Sequence, residues 1–267
     1  MSICSKAYFK LRSLYWKVVS KRLKKAFEMG NCPSYQYLDE CFFISKETYE
    51  SMVRSGSHEV DGFWNAQTSF SVKDHFSVTY NGAYKLIFEH FLPLYSNKPS
   101  LVDIGCASGE WTLRIAPNCS SIDGYELSQK LVDTANKNAS GFDNVHFYVA
   151  DSKTMSLSRS YDGALILAML MYIDNTEDFC RILKNVKDHL KPGAFLCTRD
   201  TLNNENKEVM YMYNNKTGYN AVYWSKEAYY EQFRKAGFIM IEEVILEEIN
   251  TRRLEFIHIG NIWQKPI

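Results

Sequence analysis

Three acidic residues and a small-residue turn are the parts of this chain whose types and spacing could do chemistry. Asp103 closes the apolar run Leu101-Val-Asp-Ile104. Gly105-Cys-Ala-Ser-Gly109 follows, and Trp111 to Ala116 resumes as a helix. Strand, tight turn and helix open a nucleotide-binding βαβ unit, where small residues let the backbone approach a ligand and the new helix offers free N–H groups. The dinucleotide fingerprint G-x-G-x-x-G is incomplete, because Ala107 and Glu110 stand at its second and third glycine positions. Glu126 ends the next predicted strand, Ser121 to Tyr125, where a carboxylate can accept both hydroxyls of a ribose. Asp151 ends a third, Asn144 to Ala150, and could accept from an adenine amino group. Acids at three successive strand ends suit a cationic, amine-bearing nucleoside better than a phosphorylated one.

The elements that position them alternate along the chain. Helices are predicted at 128–140, 176–190 and 225–236, the last with Ser225 as N-cap and Gly237 beyond its end. Strands are predicted at 161–167 and 194–198, and the closing pair 238–246 and 254–263 is joined closely enough to be antiparallel. The expectation is an α/β fold: a doubly wound, mostly parallel seven-stranded Rossmann-like sheet with an antiparallel last strand, plus an N-terminal helical extension.

These pieces resemble the class I S-adenosylmethionine-dependent methyltransferases. The matching stretches are Val102 to Gly109, Gly124-Tyr-Glu-Leu-Ser128, Ala150-Asp151, Tyr161 to Leu167 and Leu190-Lys-Pro-Gly-Ala-Phe-Leu196. They arrive in the family's order over residues 97–267, and the one departure is Ala107 where the family usually has glycine. The resemblance implies that S-adenosylmethionine is held by Asp103, Gly105, Ala107, Gly109, Glu126, Leu127, Asp151, Ser152 and Ala168. The chain is then expected in three parts: a basic amphipathic helix at 1–33, read from its own periodicity, a helical and loop lid region at 34–96, and the methyltransferase domain at 97–267. In that family the segment before the first strand covers the cofactor, which makes residues 63–84 the candidate lid.

Methyl transfer from a sulfonium is an in-line displacement, so catalysis is mostly positioning, with a general base where the acceptor needs one. His75 in the lid is the first candidate base and His58 the second. Arg199 and Asp200, expected at the end of the fifth strand, are candidates to orient the acceptor and to accept from its hydroxyls. Tyr80, Tyr172, Tyr223 and Trp224 are candidates for the acceptor pocket. Residues 202–224 are expected as a long loop in which aromatics alternate with amides, a composition suited to a polyhydroxylated acceptor. The expected reaction is O-methylation of a small polar molecule such as a sugar or glycan end, a role in carbohydrate biosynthesis. Methylation of a natural product or small phenol is an alternative, and a non-catalytic methyltransferase-fold protein serving an assembly is another.

Composition bounds the rest. A hydrophobic share of 46% is ample for a core. Seven cysteines without a C-x-x-C pair, and six histidines without ligand spacing, argue against a metal site or a disulfide framework and for a reducing cytoplasm. The apolar runs are too short to span a bilayer, and no signal peptide is read at the N-terminus. The net charge of zero conceals an asymmetry, since the basic residues crowd the first 25 positions and leave an acidic body. An acidic body is a poor partner for nucleic acid. Residues 5–28 set Tyr8, Leu11, Tyr15, Val19 and Leu23 on one face and Lys6, Lys10, Lys17, Lys21 and Lys24 on the other. That helix either packs on its own domain or meets an anionic membrane or a protein partner at the inner face of the membrane. Oligomeric state is left open.

Overall fold

The structure, a computed structural model, describes residues 41–47, 49–50, 77–204, 208–214, 220–251 and 254–267. The expected basic helix and most of the expected lid, His58 and His75 included, lie outside the described residues. Ten strands and five α-helices are described: β1 (Cys41–Ile44), α1 (Ser77–Lys85), β2 (Ser100–Ile104), α2 (Glu110–Ile115), β3 (Ser121–Glu126), α3 (Gln129–Asn138), β4 (Val145–Val149), β5 (Tyr161–Leu167), α4 (Thr176–Asp188), β6 (Leu190–Asn203), β7 (Val209–Asn214), β8 (Asn220–Trp224), α5 (Lys226–Lys235), β9 (Ile239–Thr251) and β10 (Leu254–Gln264). A π-turn, Leu86–Phe91, continues α1 toward the sheet.

The central sheet has seven strands in the order β4-β3-β2-β5-β6-β10-β9. β2 pairs in parallel with both β3 and β5, β5 in parallel with β6, and β10 runs antiparallel to β6 and β9. The expected doubly wound sheet with its antiparallel last strand is therefore the architecture found. The chain winds outward from β2 to β4, then returns to the other side of β2 with β5. That reversal opens a crevice at the carboxyl ends of β2 and β5, where open α/β sheets bind ligands.

Period-two alternation gives the central strands two buried faces. Leu101, Leu165, Cys197 and Ile262 pack on one side with Leu86, Ile87 and Phe91 of the arm and with Trp111 and Ile115 of α2. Val102, Ile104, Ala164 and Leu196 pack on the other with Phe179, Ile182 and Val186 of α4 and Phe233 of α5. Covering both faces is what makes the central strands apolar throughout. The Phe233 and Trp263 rings lie stacked, with centroids 4.1 Å apart. Three helices are capped by side chains as N-cap preferences dictate: Ser128, Asn175 and Ser225 accept from the backbone N–H groups of Leu131, Asp178 and Ala228.

Two segments differ from expectation. The region 34–96 is expected to be helical and loop, yet Cys41–Ile44 is a strand. Residues 202–224 were read as a loop, yet they hold the antiparallel pair β7–β8, with Tyr211 opposite Val222. Together β1, β7 and β8 form a separate three-stranded sheet. The runs Val-Met-Tyr-Met-Tyr and Ala-Val-Tyr-Trp are rich in β-branched and aromatic residues, and that propensity outweighs the polar residues around them. β6 is also longer than the expected 194–198, because antiparallel pairing with β10 keeps it in the sheet as far as Asn203 opposite Phe256.

Candidate functional site

The three acids and the turn meet at the crevice. Gly105 and Cys106 donate their N–H groups to the Tyr125 carbonyl at 2.8 and 3.1 Å, which ties the turn to β3. Gly105 and Gly109 have φ of +75° and +80°. A Cβ on Gly105 would stand 2.8 Å from Met169 Cγ, and one on Gly109 would stand 2.6 Å from Phe147 Cζ. Both the conformation and the close approach therefore require glycine.

Glu126, the last residue of β3, reaches back over the turn. Its Oε2 accepts from the Ala107 N–H and its Oε1 from the Ser128 N–H, each at 3.0 Å. Burial raises its pKa, opposed by the backbone N–H groups of Ser128, Ala107 and Leu127. An acid held this way has two further lone-pair sites and a fixed direction. Leu127 thus serves through its backbone. Asp103 is buried and accepts from Thr112 Oγ1 at 2.6 Å, a tie from β2 to α2. Burial pushes its pKa up to about 6, against the pull of the Thr112 hydroxyl. Asp151 lies two residues beyond β4 and is the most open of the three, its Oδ1 accepting from the Lys153 N–H at 2.8 Å. Ser152 points its hydroxyl at Met169 Sδ, 3.9 Å away. Ala168 follows β5 directly, with φ of +57°. All nine residues expected at the cofactor fall in or beside the strand ends and turns around this crevice.

Ala107 has φ of +48°, the conformation for which the family's glycine is suited. A left-handed L-residue costs about 1–2 kcal/mol, of which a glycine returns roughly 0.4–1 to the entropy of the unfolded chain. Ala107→Gly is therefore expected to raise stability by about 0.5–1 kcal/mol, seen as a small rise in melting temperature. A fall in that temperature would show the alanine methyl to be packing usefully.

The acceptor candidates are placed differently from expectation. Arg199 and Asp200 are not at a strand end but inside β6, and alternation sends them to opposite faces. Asp200 is 1% exposed and faces α5, accepting from Tyr229 Oη at 2.7 Å and from the Met171 N–H at 3.2 Å. It holds the turn Leu170–Tyr172 in place through the Met171 N–H. Tyr172 sits in that turn and is half-buried. Trp224 is 2% exposed, donates Nε1–H to the Ile173 carbonyl at 3.2 Å and meets the Phe179 ring edge-on. It belongs to the core and offers no stacking platform. Tyr223 is buried too, its hydroxyl 3.6 Å from Met212 Sδ, in a cluster with Met171 and Met210. Of Tyr80, only the backbone in α1 is described.

Residues that sequence reasoning passed over complete the crevice. Thr112 fixes Asp103, Met169 covers Gly105, and His258 on β10 stands beside Thr201, with Nδ1 and Oγ1 3.0 Å apart. His258 could have been found in Phe256-Ile-His-Ile-Gly-Asn-Ile-Trp263, where a histidine and an asparagine interrupt a mostly apolar strand. Among the described residues no group of three or more His, Cys, Asp or Glu side chains could hold a metal ion. No described helix is long and apolar enough to cross a membrane.

Comparison with known proteins agrees with this geometry. A family profile described as "Methyltransferase domain" matches residues 101–193. The malonyl-[acyl-carrier protein] O-methyltransferase of Halalkalibacterium halodurans is 25% identical over 161 residues, covering 58% of this chain and 55% of that protein. Nodulation protein S of Rhizobium tropici is 21% identical over 95 residues, 36% of this chain and 40% of that one. The chain thus spans about half the length of the curated relatives it matches. Among solved structures, the N-methyltransferase NodS of Bradyrhizobium japonicum bound to S-adenosyl-L-homocysteine superposes with a TM-score of 0.58 at 16% identity, covering 82% of this chain and 99% of that one. A SAM-dependent methyltransferase of Leishmania major gives 0.61 at 18% identity, covering 76% and 81%. At such identities the structures speak for the fold, while the profile covers the glycine turn, the three strand-end acids and the Lys-Pro-Gly corner. Residues 101–193 thus match a methyltransferase-domain profile, and the chain has the fold of S-adenosylmethionine-dependent methyltransferases.

Proposed function

We propose that the chain transfers a methyl group from S-adenosylmethionine to a small polar acceptor. The observation that carries this reading is Glu126, clamped by the Ala107 and Ser128 N–H groups over a left-handed turn at the point where the sheet reverses direction. That carboxylate is fixed in the direction needed to accept from two ribose hydroxyls. Gly105 and Gly109 give the turn its left-handed shape and let Met169 and Phe147 pack against it, and the more open Asp151 is available to a base amino group. The cofactor would supply an electrophilic methyl on a sulfonium. The residues of this chain would fix its direction, exclude water and align the acceptor, and alignment alone supplies much of the rate in such displacements.

The finer expectation is transfer to an oxygen of a sugar or glycan end. Relatives named as O- and N-methyltransferases both support methyl transfer without choosing the acceptor atom. The enclosed Trp224 and Tyr223 give the ring-stacking part of the sugar reading less support than the sequence did. A natural-product or small-phenol acceptor is the alternative within the same chemistry. Residues 5–28 are proposed to tether the protein peripherally, on the strength of their segregated charge. About 1 kcal/mol per lysine at an anionic surface would give weak association, read as salt-sensitive cosedimentation with anionic vesicles.

The test is calorimetry with S-adenosylhomocysteine followed by transfer of a labelled methyl group across candidate acceptors. Micromolar binding and label in a polar acceptor are the expected results. Absence of binding by the full chain rejects the reading. Binding without turnover on any acceptor favours a non-catalytic role in an assembly.

A further inference from the structure

Of the three acids at the crevice, Glu126 is matched to the ribose and Asp151 to the base, which leaves Asp103. It lies in β2 between Gly124 of β3 and Leu165 of β5, two neighbours without a polar side chain. The residue is 2% exposed, and its partner comes from α2. Thr112, fully buried in the first turn of that helix, donates its hydroxyl to Oδ2 at 2.6 Å. No described group takes Oδ1. Yet Oδ1 is not one of the fully buried side-chain atoms without a partner, which among the described residues are Arg199 Nε, His258 Nε2 and Asn261 Nδ2. It therefore borders open space, and the open space at the carboxyl end of β2 is the crevice.

We propose that Thr112 is a positioning residue for the cofactor: its hydroxyl holds the Asp103 carboxylate with Oδ1 toward the crevice, where Oδ1 accepts from the ammonium at the amino-acid end of S-adenosylmethionine. This rests on the methyltransferase reading above and gives a partner to the end of the ligand that the ribose and base contacts do not reach. A buried carboxylate without a counter-charge tends to hold its proton, because burial penalises the charged form. Burial pushes the Asp103 pKa up to about 6 against the pull of the Thr112 hydroxyl, and Glu126 on β3 adds to the rise. The other titratable groups around it are the thiols of Cys106 in the turn and Cys197 on β6, and burial keeps both protonated. Among the described residues no cation pairs with Asp103, so a ligand ammonium would supply the missing charge. The Thr112 hydroxyl is the described group that favours the ionised form, since a hydrogen bond to a carboxylate stabilises its charge. Valine keeps the branched shape of threonine without the hydroxyl, and serine keeps the hydroxyl without the methyl.

The test compares S-adenosylhomocysteine with methylthioadenosine, which has the same nucleoside and thioether but no amino-acid end, by calorimetry of the full chain. In wild type the ratio of the two affinities should fall about tenfold between about pH 7 and about pH 5, as Asp103 takes its proton while the ligand ammonium stays charged. Glu126 acts on both ligands and drops out of the ratio. At about pH 7, Thr112→Val should weaken S-adenosylhomocysteine about tenfold and leave methylthioadenosine within about twofold. Thr112→Ser should hold both within about threefold of wild type, which separates the hydroxyl from the packing. NMR of the Asp103 carboxyl in the unloaded chain reads the same effect without ligand: its titration should move to higher pH in the valine variant and stay in place in the serine variant. The proposal is overturned if the wild-type ratio does not change with pH, if the valine variant loses both ligands equally or neither, or if Asp103 titrates alike in wild type and the valine variant. Should the valine variant not fold, the wild-type ratio and the serine variant still decide. Wild type that binds methylthioadenosine as tightly as S-adenosylhomocysteine overturns this proposal alone, whereas wild type that binds neither rejects the cofactor reading itself.

Discussion

Glu126→Ala is expected to weaken S-adenosylhomocysteine binding by roughly 2–3 kcal/mol, close to a hundredfold in dissociation constant. Two losses combine. The ribose hydroxyls lose a charged acceptor, and hydrogen bonds to charged groups contribute about 1.5–3 kcal/mol. The Ala107 and Ser128 N–H groups also lose the carboxylate that fixes them, so the left-handed turn is no longer held in the shape the ligand needs. Glu126→Gln separates the two effects. Its amide oxygen can accept from one N–H, but its NH2 group cannot accept from a ribose hydroxyl, so it should fall between wild type and alanine. The Glu126 pKa is raised by burial, so affinity should also decline as the solution is acidified and the carboxylate protonates. Calorimetry of the three proteins decides it. A Glu126→Ala protein that binds as wild type does would mean that the ribose sits elsewhere.

The legibility of this site followed from how local its causes are. Asp103, Gly105, Gly109 and Glu126 could be placed from the sequence because each is fixed by a strand end or a turn only a few residues long. The same holds for Ser225, whose capping role depends on a neighbour three residues away. Arg199 and Asp200 were harder, since their surroundings depend on where β6 stops. That in turn depends on pairing with β10, which lies more than fifty residues further along. Taken as a pair at a strand end they suggested one target, whereas inside a strand they face opposite ways. Alternation would have separated them had the strand's length been known.

The strands within residues 202–224 were missed for a related reason. Tyr211, Tyr223 and Trp224 looked like a cleft mouth because polar residues surround them in sequence. In the fold, β7 pairs with β1 from more than 160 residues upstream, and this second sheet encloses all three side chains. Tyr211 packs on Tyr49 with ring centroids 4.9 Å apart. Contacts between segments so distant leave no periodic trace in either segment. Thr112 and His258 escaped attention for the opposite reason: each is one polar residue in an element whose pattern is complete without it.

Asp200→Asn is expected to stabilise the protein in a pH-dependent way, by on the order of 4 kcal/mol above about pH 8 and by almost nothing near about pH 4. Burial raises the Asp200 pKa from 3.8 to about 7, outweighing the Tyr229 hydroxyl, Arg199 and the Met171 N–H, which pull it down. The folded chain therefore holds this proton more tightly than the unfolded chain does. Stability is greatest below the unfolded pKa and is lost as pH rises toward the folded one. Asparagine carries no charge to desolvate. Its Oδ1 can still accept from Met171 N–H, and its Nδ2 can donate to the Tyr229 oxygen, so the turn at 170–172 keeps its hold. Asp103, raised to about 6, gives a slope of the same sign, and His258, lowered to about 3, gives the opposite slope below its ordinary value. Both are present in wild type and variant, so the difference between the two melting curves isolates Asp200. At about pH 8 the variant should melt roughly 10 °C higher, and the gap should close on acidification. Because Asp200 positions the turn beside the reaction centre, Asp200→Asn should keep wild-type affinity for S-adenosylhomocysteine, whereas Asp200→Ala, which leaves the Met171 N–H without its acceptor, should lose about tenfold. A gap between wild type and asparagine that does not change with pH would mean that Asp200 is not a buried charge. An alanine variant that binds as wild type does would mean that the turn is held by other contacts.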